Sequence, residues 1–323
     1  MSANNSLVVV SNRLPTSVSR SDEGELEYST SSGGLATAMS SLDSDNRIWI
    51  GWPGIASDDL TDLERSQITA ELAKQGCIPV FLTSEQIALF YEGYANDTLW
   101  PMFHYFQSYV QYNEEYWGVY KEVNQLYADA VGTLDTTNSI VWIHDYQLLL
   151  TPEMIRQHSP ETKIGFFLHI PFPSYEIFRQ LPNRNEIIQG LLGADLIGFH
   201  IYDYARHFLS SVKHITGDVD NHGKIHYQGR TVVIDNFPIG IDYNRFEKLT
   251  ASKPVRKELE SIQEHYADQQ VIVSVDRLDY SKGILQRLEA FELYLYENPK
   301  MHKKISLVIV AVPSRTSVET YQM

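Results

Sequence analysis

Residues 139–170, "SIVWIHDYQLLLTPEMIRQHSPETKIGFFLHI", decide the fold class. The stretch opens on a short apolar run, "SIVWIH", turns at "DYQ", and passes through a helical pattern, "LLTPEMIRQHSP". It then returns to a second apolar run, "KIGFFLHI". Apolar runs of about four to eight residues suit strands buried on both faces of a parallel sheet. Working outward, similar runs stand at 7–10 ("LVVV"), 47–52 ("RIWIGW"), 77–82 ("CIPVFL") and 195–200 ("DLIGFH"). Helical patterns separate them, among them "DLTDLERSQITAELAKQG", "EYWGVYKEVNQLYADAVGTL", "RNEIIQGLLGA" and "YDYARHFLSSVKHITG". This alternation predicts an α/β fold with a doubly wound sheet.

The order breaks at 221–241, "NHGKIHYQGRTVVIDNFPIGI", where two strand-like runs flank "YQGR" as a hairpin. A charged helical stretch follows, "KPVRKELESIQEHYAD", and then a fresh strand from Val271. The second segment reads as strand 271–276, loop 277–283, helix 284–297 and strand 305–312. We therefore expect one complete Rossmann-like domain at 1–245. Residues 246–323 are expected to hold a linker helix and the first βαβ unit of a second domain.

The chain has 323 residues, 43% apolar and 21% charged, which is ordinary for a packed globular protein. Its net charge of −15 argues against a nucleic-acid surface, which needs clustered Lys and Arg. An anionic ligand would have to be held by a few local cations. The single cysteine, Cys77, leaves no intramolecular disulfide and suits a reducing compartment. A small core residue is the simpler role for it. The N-terminus lacks the basic flank of a signal peptide. No apolar run approaches the ~20 residues of a membrane span. A cytoplasmic protein is expected.

In open α/β sheets, ligands lie at the carboxyl ends of strands. That rule selects Arg13 after the first strand and Gly33 and Gly34, which open a helix in "SSGGLATAM". It also selects Asp145 after "SIVWIH", His169 at the end of "KIGFFLHI", and Arg277 and Lys282 in "SVDRLDYSKG". A glycine pair lets backbone amides approach a phosphate or sugar, although a plain turn would use it too. Arg277 and Lys282 flank a loop at a helix start, where the dipole favours an anion; a surface ion-pair role fits them equally. Asp145 and His169 have the chemistry of an acid–base pair, and also that of an ordinary buried hydrogen bond. The aromatic stretch "FYEGYANDTLWPMFHYF" reads as a helix burying rings, with "TLWP" ending it in a turn that would expose Trp100 as a sugar platform.

Competing devices are absent. The chain has no G-x-G-x-x-G and no P-loop. Two D-x-D triplets, Asp43-Asp45 and Asp218-Asp220, make weak metal sites, and the eleven histidines show no metal spacing.

Several segments together resemble the trehalose-6-phosphate synthase family: "SNRLP", "SGGLATAM", "TLWPMFHY", "WIHDYQLLLTPEMIR", "GFFLHIPFPSYEIFRQLP", "LLGADLIGFHIYDYARHF", "FPIGID", "DRLDYSKGI" and "AVPSRTSVETYQ". The resemblance runs from about residue 7 to the end and is nearer to fungal and plant-like members than to the enterobacterial type. It implies a GT-B architecture of two Rossmann-like domains. The implied activity is transfer of glucose from UDP-glucose to glucose 6-phosphate with retention, without a metal at the diphosphate and without a cofactor.

It also implies residue roles. Arg13 would bind the acceptor's phosphate, Tyr91 and Trp100 would shape the acceptor pocket, and Asp145 would hydrogen-bond the acceptor sugar. Gly33 and Gly34 would bring amides to the donor, and His169 would contact the donor glucose near the reacting centre. Arg277 and Lys282 would neutralise the diphosphate as it leaves. Position 147 is Gln where enterobacterial members carry His, so no role is assigned there. Homo-oligomers or association with a trehalose-phosphate phosphatase are compatible with the resemblance; nucleic acid and membrane are not expected partners.

Members of the family continue well past "VPSRTSVETYQ" into the uridine pocket. These 323 residues are therefore expected to be incomplete for turnover. A different class stays open at this point: a non-catalytic half-protein that binds sugar phosphate or a synthase partner and regulates trehalose synthesis. A metal-dependent transferase using a D-x-D triplet is a third. A lone βαβ unit would leave a strand edge and an apolar helix face uncovered, so residues beyond about 270 are expected to be labile or covered in an oligomer.

Overall fold

A computed structural model of the chain describes residues 6–31, 47–217, 219 and 224–313. The chain divides into two compact units, Met1–Ile239 and Gly240–Met323. The division precedes the helix Tyr243–Thr250.

The first unit is built on an eight-stranded sheet. Its strands are β1 (Ser6–Arg13), β4 (Arg47–Trp52), β5 (Cys77–Pro79), β6 (Ser139–His144), β7 (Lys163–Phe167), β8 (Leu196–Phe199), β9 (Lys224–Tyr227) and β10 (Arg230–Asn236). Their order is β5-β4-β1-β6-β7-β8-β10-β9, parallel throughout except for the β10–β9 hairpin at one edge. Gln228 and Gly229 close that hairpin, both at positive φ (48° and 76°), the backbone a two-residue I′ turn requires. A separate ribbon, β2 (Thr16–Arg20) paired with β3 (Leu26–Thr30), was not legible in the sequence pattern.

The central strands β1 and β4 are buried on both faces, as continuous apolar runs demand, while the edge strands β9 and β10 are half exposed. On one face Val9, Trp49 and Cys77 pack with Ile68 and Leu72 of helix α1 (Asp62–Ala73). Cys77 is thus a core residue, and burial pushes its thiol up to about 11. Helix α1 starts on a full capping box between Thr61 and Glu64. Helices α2 (Glu114–Gly132), α3 (Thr151–His158), α4 (Arg184–Leu191) and α5 (Tyr202–Ile215) complete the alternation. Gly193, after α4, is forced by packing. A Cβ there would lie 2.2 Å from the Glu153 backbone nitrogen, and backbone cannot give way.

The aromatic segment departs from expectation. Ile87–Leu99 forms a π-helix, and Trp100–Phe103 continues as α-helix instead of ending in a turn. Pro101 donates no N–H, and the Asp97 carbonyl four residues before it accepts the Gln111 N–H at 2.8 Å instead. No described helix is long and apolar enough to cross a membrane.

The second unit contains α6 (Tyr243–Thr250), α7 (Lys253–His265), β11 (Gln270–Arg277), α8 (Ile284–Glu297) and β12 (Ile305–Val312). Strands β11 and β12 pair in parallel along their whole length, Gln270 opposite Ile305 and Arg277 opposite Val312. As the sequence leads one to expect of a lone βαβ unit, apolar side chains stand open to solvent, with Val273, Val275 and Tyr296 more than half exposed.

Candidate functional site

Chain order and sheet order part company at β1. From β1 the chain builds outward through β4 and β5, then returns to place β6 on the other side of β1. The gap between the carboxyl ends of β1 and β6 is therefore the switch point, where an open α/β sheet leaves a crevice. Arg13 ends β1, and Asp145 follows β6 directly. Neighbouring strands lie about 4.8 Å apart, so topology alone sets these two residues at one crevice. The Arg13 guanidinium lies 4.5 Å from the centre of the Trp52 ring, which supports an otherwise exposed side chain.

Asp145 is held in a backbone conformation (φ 76°, ψ 170°) that is nearly confined to glycine. The surroundings impose it. Its N–H donates to the Phe167 carbonyl at 2.8 Å, and its Oδ1 accepts the N–H groups of Tyr146 (3.0 Å) and His169 (3.2 Å). Helix α2 anchors the following loop through two buried side chains that sequence reasoning missed. The Tyr120 hydroxyl donates to the Tyr146 carbonyl at 2.7 Å. Asn124 Oδ1 accepts the N–H groups of Leu150 (3.1 Å) and Thr151 (3.2 Å). A buried amide with this many partners fixes one loop conformation.

Trp100 reaches the same loop from the π-helix side, and Asn96 links the Tyr91 backbone to it. Asn96 Nδ2 donates to the Tyr91 carbonyl at 2.6 Å, and Asn96 Oδ1 accepts the Tyr146 hydroxyl at 2.9 Å. The Trp100 ring packs 5.6 Å from Tyr146 and 4.0 Å from His104. It is only 4% exposed, so the expected open platform is corrected to a buried wall.

His169 does meet Asp145, through its backbone, while its ring joins a row of three histidines at the ends of β6, β7 and β8. His144 Nδ1 lies 3.0 Å from His169 Nε2. The His169 and His200 rings are 5.8 Å apart and edge-on. Desolvation lowers all three: His144 falls well below the ordinary 6.5, His169 falls to about 4, and His200 shifts the same way. The imidazoles are neutral at pH 7. His144 and His200 were not selected from sequence, although a signal existed in three successive strands ending "WIH", "FLH" and "GFH".

In the second unit, Arg277 ends β11 and Lys282 closes the 3₁₀ turn Tyr280–Lys282 before α8. Buried Asp279 accepts the Ser281 N–H at 2.9 Å. Arg287 of α8 ties the loop down. It reaches Asp276 Oδ2 at 2.9 Å, the Ser274 hydroxyl, and the Lys282 carbonyl at 3.0 Å. Gly33 and Gly34, and the triplets Asp43-Asp45 and Asp218-Asp220, lie outside the described residues. Among the described residues no cluster of three or more His, Cys, Asp or Glu could hold a metal ion.

The glycosyltransferase family 20 model matches residues 5–323. The chain belongs to that family. Among relatives, it is 45% identical to a UDP-forming α,α-trehalose-phosphate synthase of Candida albicans, over 98% of this chain and 67% of that one. A synthase from Burkholderia xenovorans, solved in complex with glucose-6-phosphate, superposes with a TM-score of 0.81 at 28% identity, covering 98% of this chain and 68% of its own. An Escherichia coli family structure bound with UDP-2-fluoro glucose gives 0.81 at 30% identity, covering 98% and 67%. The family fold is GT-B, and the chain spans about two thirds of the length of the curated relatives it matches.

Proposed function

We propose that the chain is part of a UDP-forming trehalose-6-phosphate synthase. The enzyme transfers glucose from UDP-glucose to glucose 6-phosphate and forms α,α-trehalose 6-phosphate with retention. The observation that carries this reading is the pairing of Arg13 and Asp145 at the switch point of the first unit's sheet. A guanidinium recognises a phosphate by its planar fork, and a carboxylate beside it accepts sugar hydroxyls. In this reading residues 1–245 bind the acceptor, with Arg13 on its phosphate, Asp145 on its hydroxyls, and Tyr91 and Trp100 as walls. Gly33, Gly34 and His169 contact the donor sugar.

Residues 246–323 begin the nucleotide-sugar domain, where Arg277 and Lys282 offset the charge that grows on the departing diphosphate. No metal is required for that step. The reducing environment that suits the Cys77 thiol supports a cytoplasmic location. The exposed apolar residues of β11 and α8 support burial against further protein, either further copies or a trehalose-phosphate phosphatase.

Calorimetric titration with glucose 6-phosphate, alongside UDP release from UDP-glucose, tests the reading. Binding of glucose 6-phosphate that disappears in Arg13→Ala is the expected result. Binding that survives both Arg13→Ala and Asp145→Asn refutes the acceptor assignment.

A further inference from the structure

We propose that His144 is a positioning residue that holds His169 as its Nδ1–H tautomer, so that His169 meets its ligand as a hydrogen-bond donor. The proposal deepens the donor-site reading of His169 and rests on it for the identity of the ligand, a sugar hydroxyl or ring oxygen.

His144 Nδ1 and His169 Nε2 are 3.0 Å apart, so one nitrogen must carry a hydrogen and the other must not. Burial keeps both rings neutral near pH 7, which removes the arrangement with two N–H groups on one ring. Two arrangements remain. In the first, His169 donates from Nε2 and His144 accepts at Nδ1, which forces the His144 hydrogen onto its own Nε2.

That Nε2 is buried and has no hydrogen-bond partner among the described residues. An orphaned buried N–H is the rarer and more heavily penalised defect. In the second arrangement His144 donates from Nδ1, and only a bare lone pair is left at its Nε2. The second arrangement therefore prevails, and His169 carries its hydrogen on Nδ1. The fixed partner also fixes the ring's orientation.

The surroundings do not reverse this choice. His200 stands edge-on to His169 and hydrogen-bonds its backbone. The Asp145 carboxylate engages the His169 backbone N–H. Trp142 packs with its ring centre 4.5 Å from that of His144.

Long-range 1H–15N correlation of the 15N-histidine-labelled full chain at pH 7.5 reads the tautomers directly, with His144→Asn and His169→Gln providing assignments. The expected spectrum shows Nδ1–H on both His144 and His169. In His144→Phe the Nδ1–H fraction of His169 falls, whereas His144→Asn, whose amide can still donate, retains it. A wild-type His169 protonated on Nε2 overturns the proposal, and that spectrum decides even if His144→Phe does not fold. UDP-glucose titration of His169→Ala is read separately. Unchanged affinity there removes the donor-site reading and leaves the tautomer assignment standing.

Discussion

The Asp145 carboxylate accepts the backbone N–H of His169 at 3.2 Å, joining the loop after β6 to the loop after β7. It does so from a backbone conformation that costs a non-glycine residue about 1–3 kcal/mol. Asp145→Ala keeps that strain and loses the carboxylate, whereas Asp145→Gly loses both. The Gly variant is therefore expected to be more stable than the Ala variant by about 1 kcal/mol or more, with glucose 6-phosphate binding lost in each. Urea denaturation ranks the two; an Ala variant at least as stable as the Gly variant would show that the strain is not stored.

Arg13 is exposed and stacks on Trp52, so its truncation should leave the fold intact. Charge-assisted hydrogen bonds contribute roughly 1.5–3 kcal/mol, hence Arg13→Ala is expected to weaken glucose 6-phosphate binding roughly 10- to 100-fold. Calorimetry with glucose 6-phosphate and with glucose separates the phosphate from the sugar. Equal losses for the two ligands would move Arg13 off the phosphate.

The buried histidines make stability depend on pH. His169 titrates at about 4 in the folded chain and near 6.5 when unfolded, and His144 is lowered as well. The unfolded chain therefore binds more protons in this window. The stability is fully present above about pH 6.5 and is lost as pH falls toward 4. Between pH 7 and 4.5, His169 alone is expected to remove on the order of 2 kcal/mol. Urea midpoints across that range should flatten in His169→Gln; a slope equal to wild type would contradict the assignment.

Arg287 holds the loop of Arg277 and Lys282 through Asp276, Ser274 and the Lys282 carbonyl. Arg287→Met keeps the apolar stem and drops these bonds, at a cost of about 1–2 kcal/mol of local stability. Faster amide exchange at 278–283 and weaker UDP binding are the expected results. Unchanged exchange there would reduce the contact to an incidental ion pair.

The sequence reveals the sheet because its central strands are buried on both faces, and unbroken runs such as "LVVV" and "KIGFF" have few other uses. It selects Arg13, Asp145 and His169 by the rule that such sheets bind ligands at strand ends, and the fold places all three at the carboxyl ends of β1, β6 and β7. It does not reveal Asn124 or Tyr120, since a polar residue inside a helical pattern looks solvated until its partners from a distant loop arrive. Trp100 misled because Pro101 reads as a stop, yet the helix runs through it, with the carbonyl it leaves free taken by the Gln111 N–H. The ribbon β2–β3 stayed hidden because half-exposed strands alternate too weakly to stand out over five residues.

The stack of Arg13 on Trp52 has an optical consequence. The indole is 5% exposed and its N–H donates to the Ile55 carbonyl at 3.0 Å, so the ring is anchored while the cation above it stands at the switch-point crevice. A phosphate that draws the guanidinium away changes the charge over an immobile chromophore. On the acceptor role proposed for Arg13, Trp52 emission is therefore expected to change when glucose 6-phosphate binds.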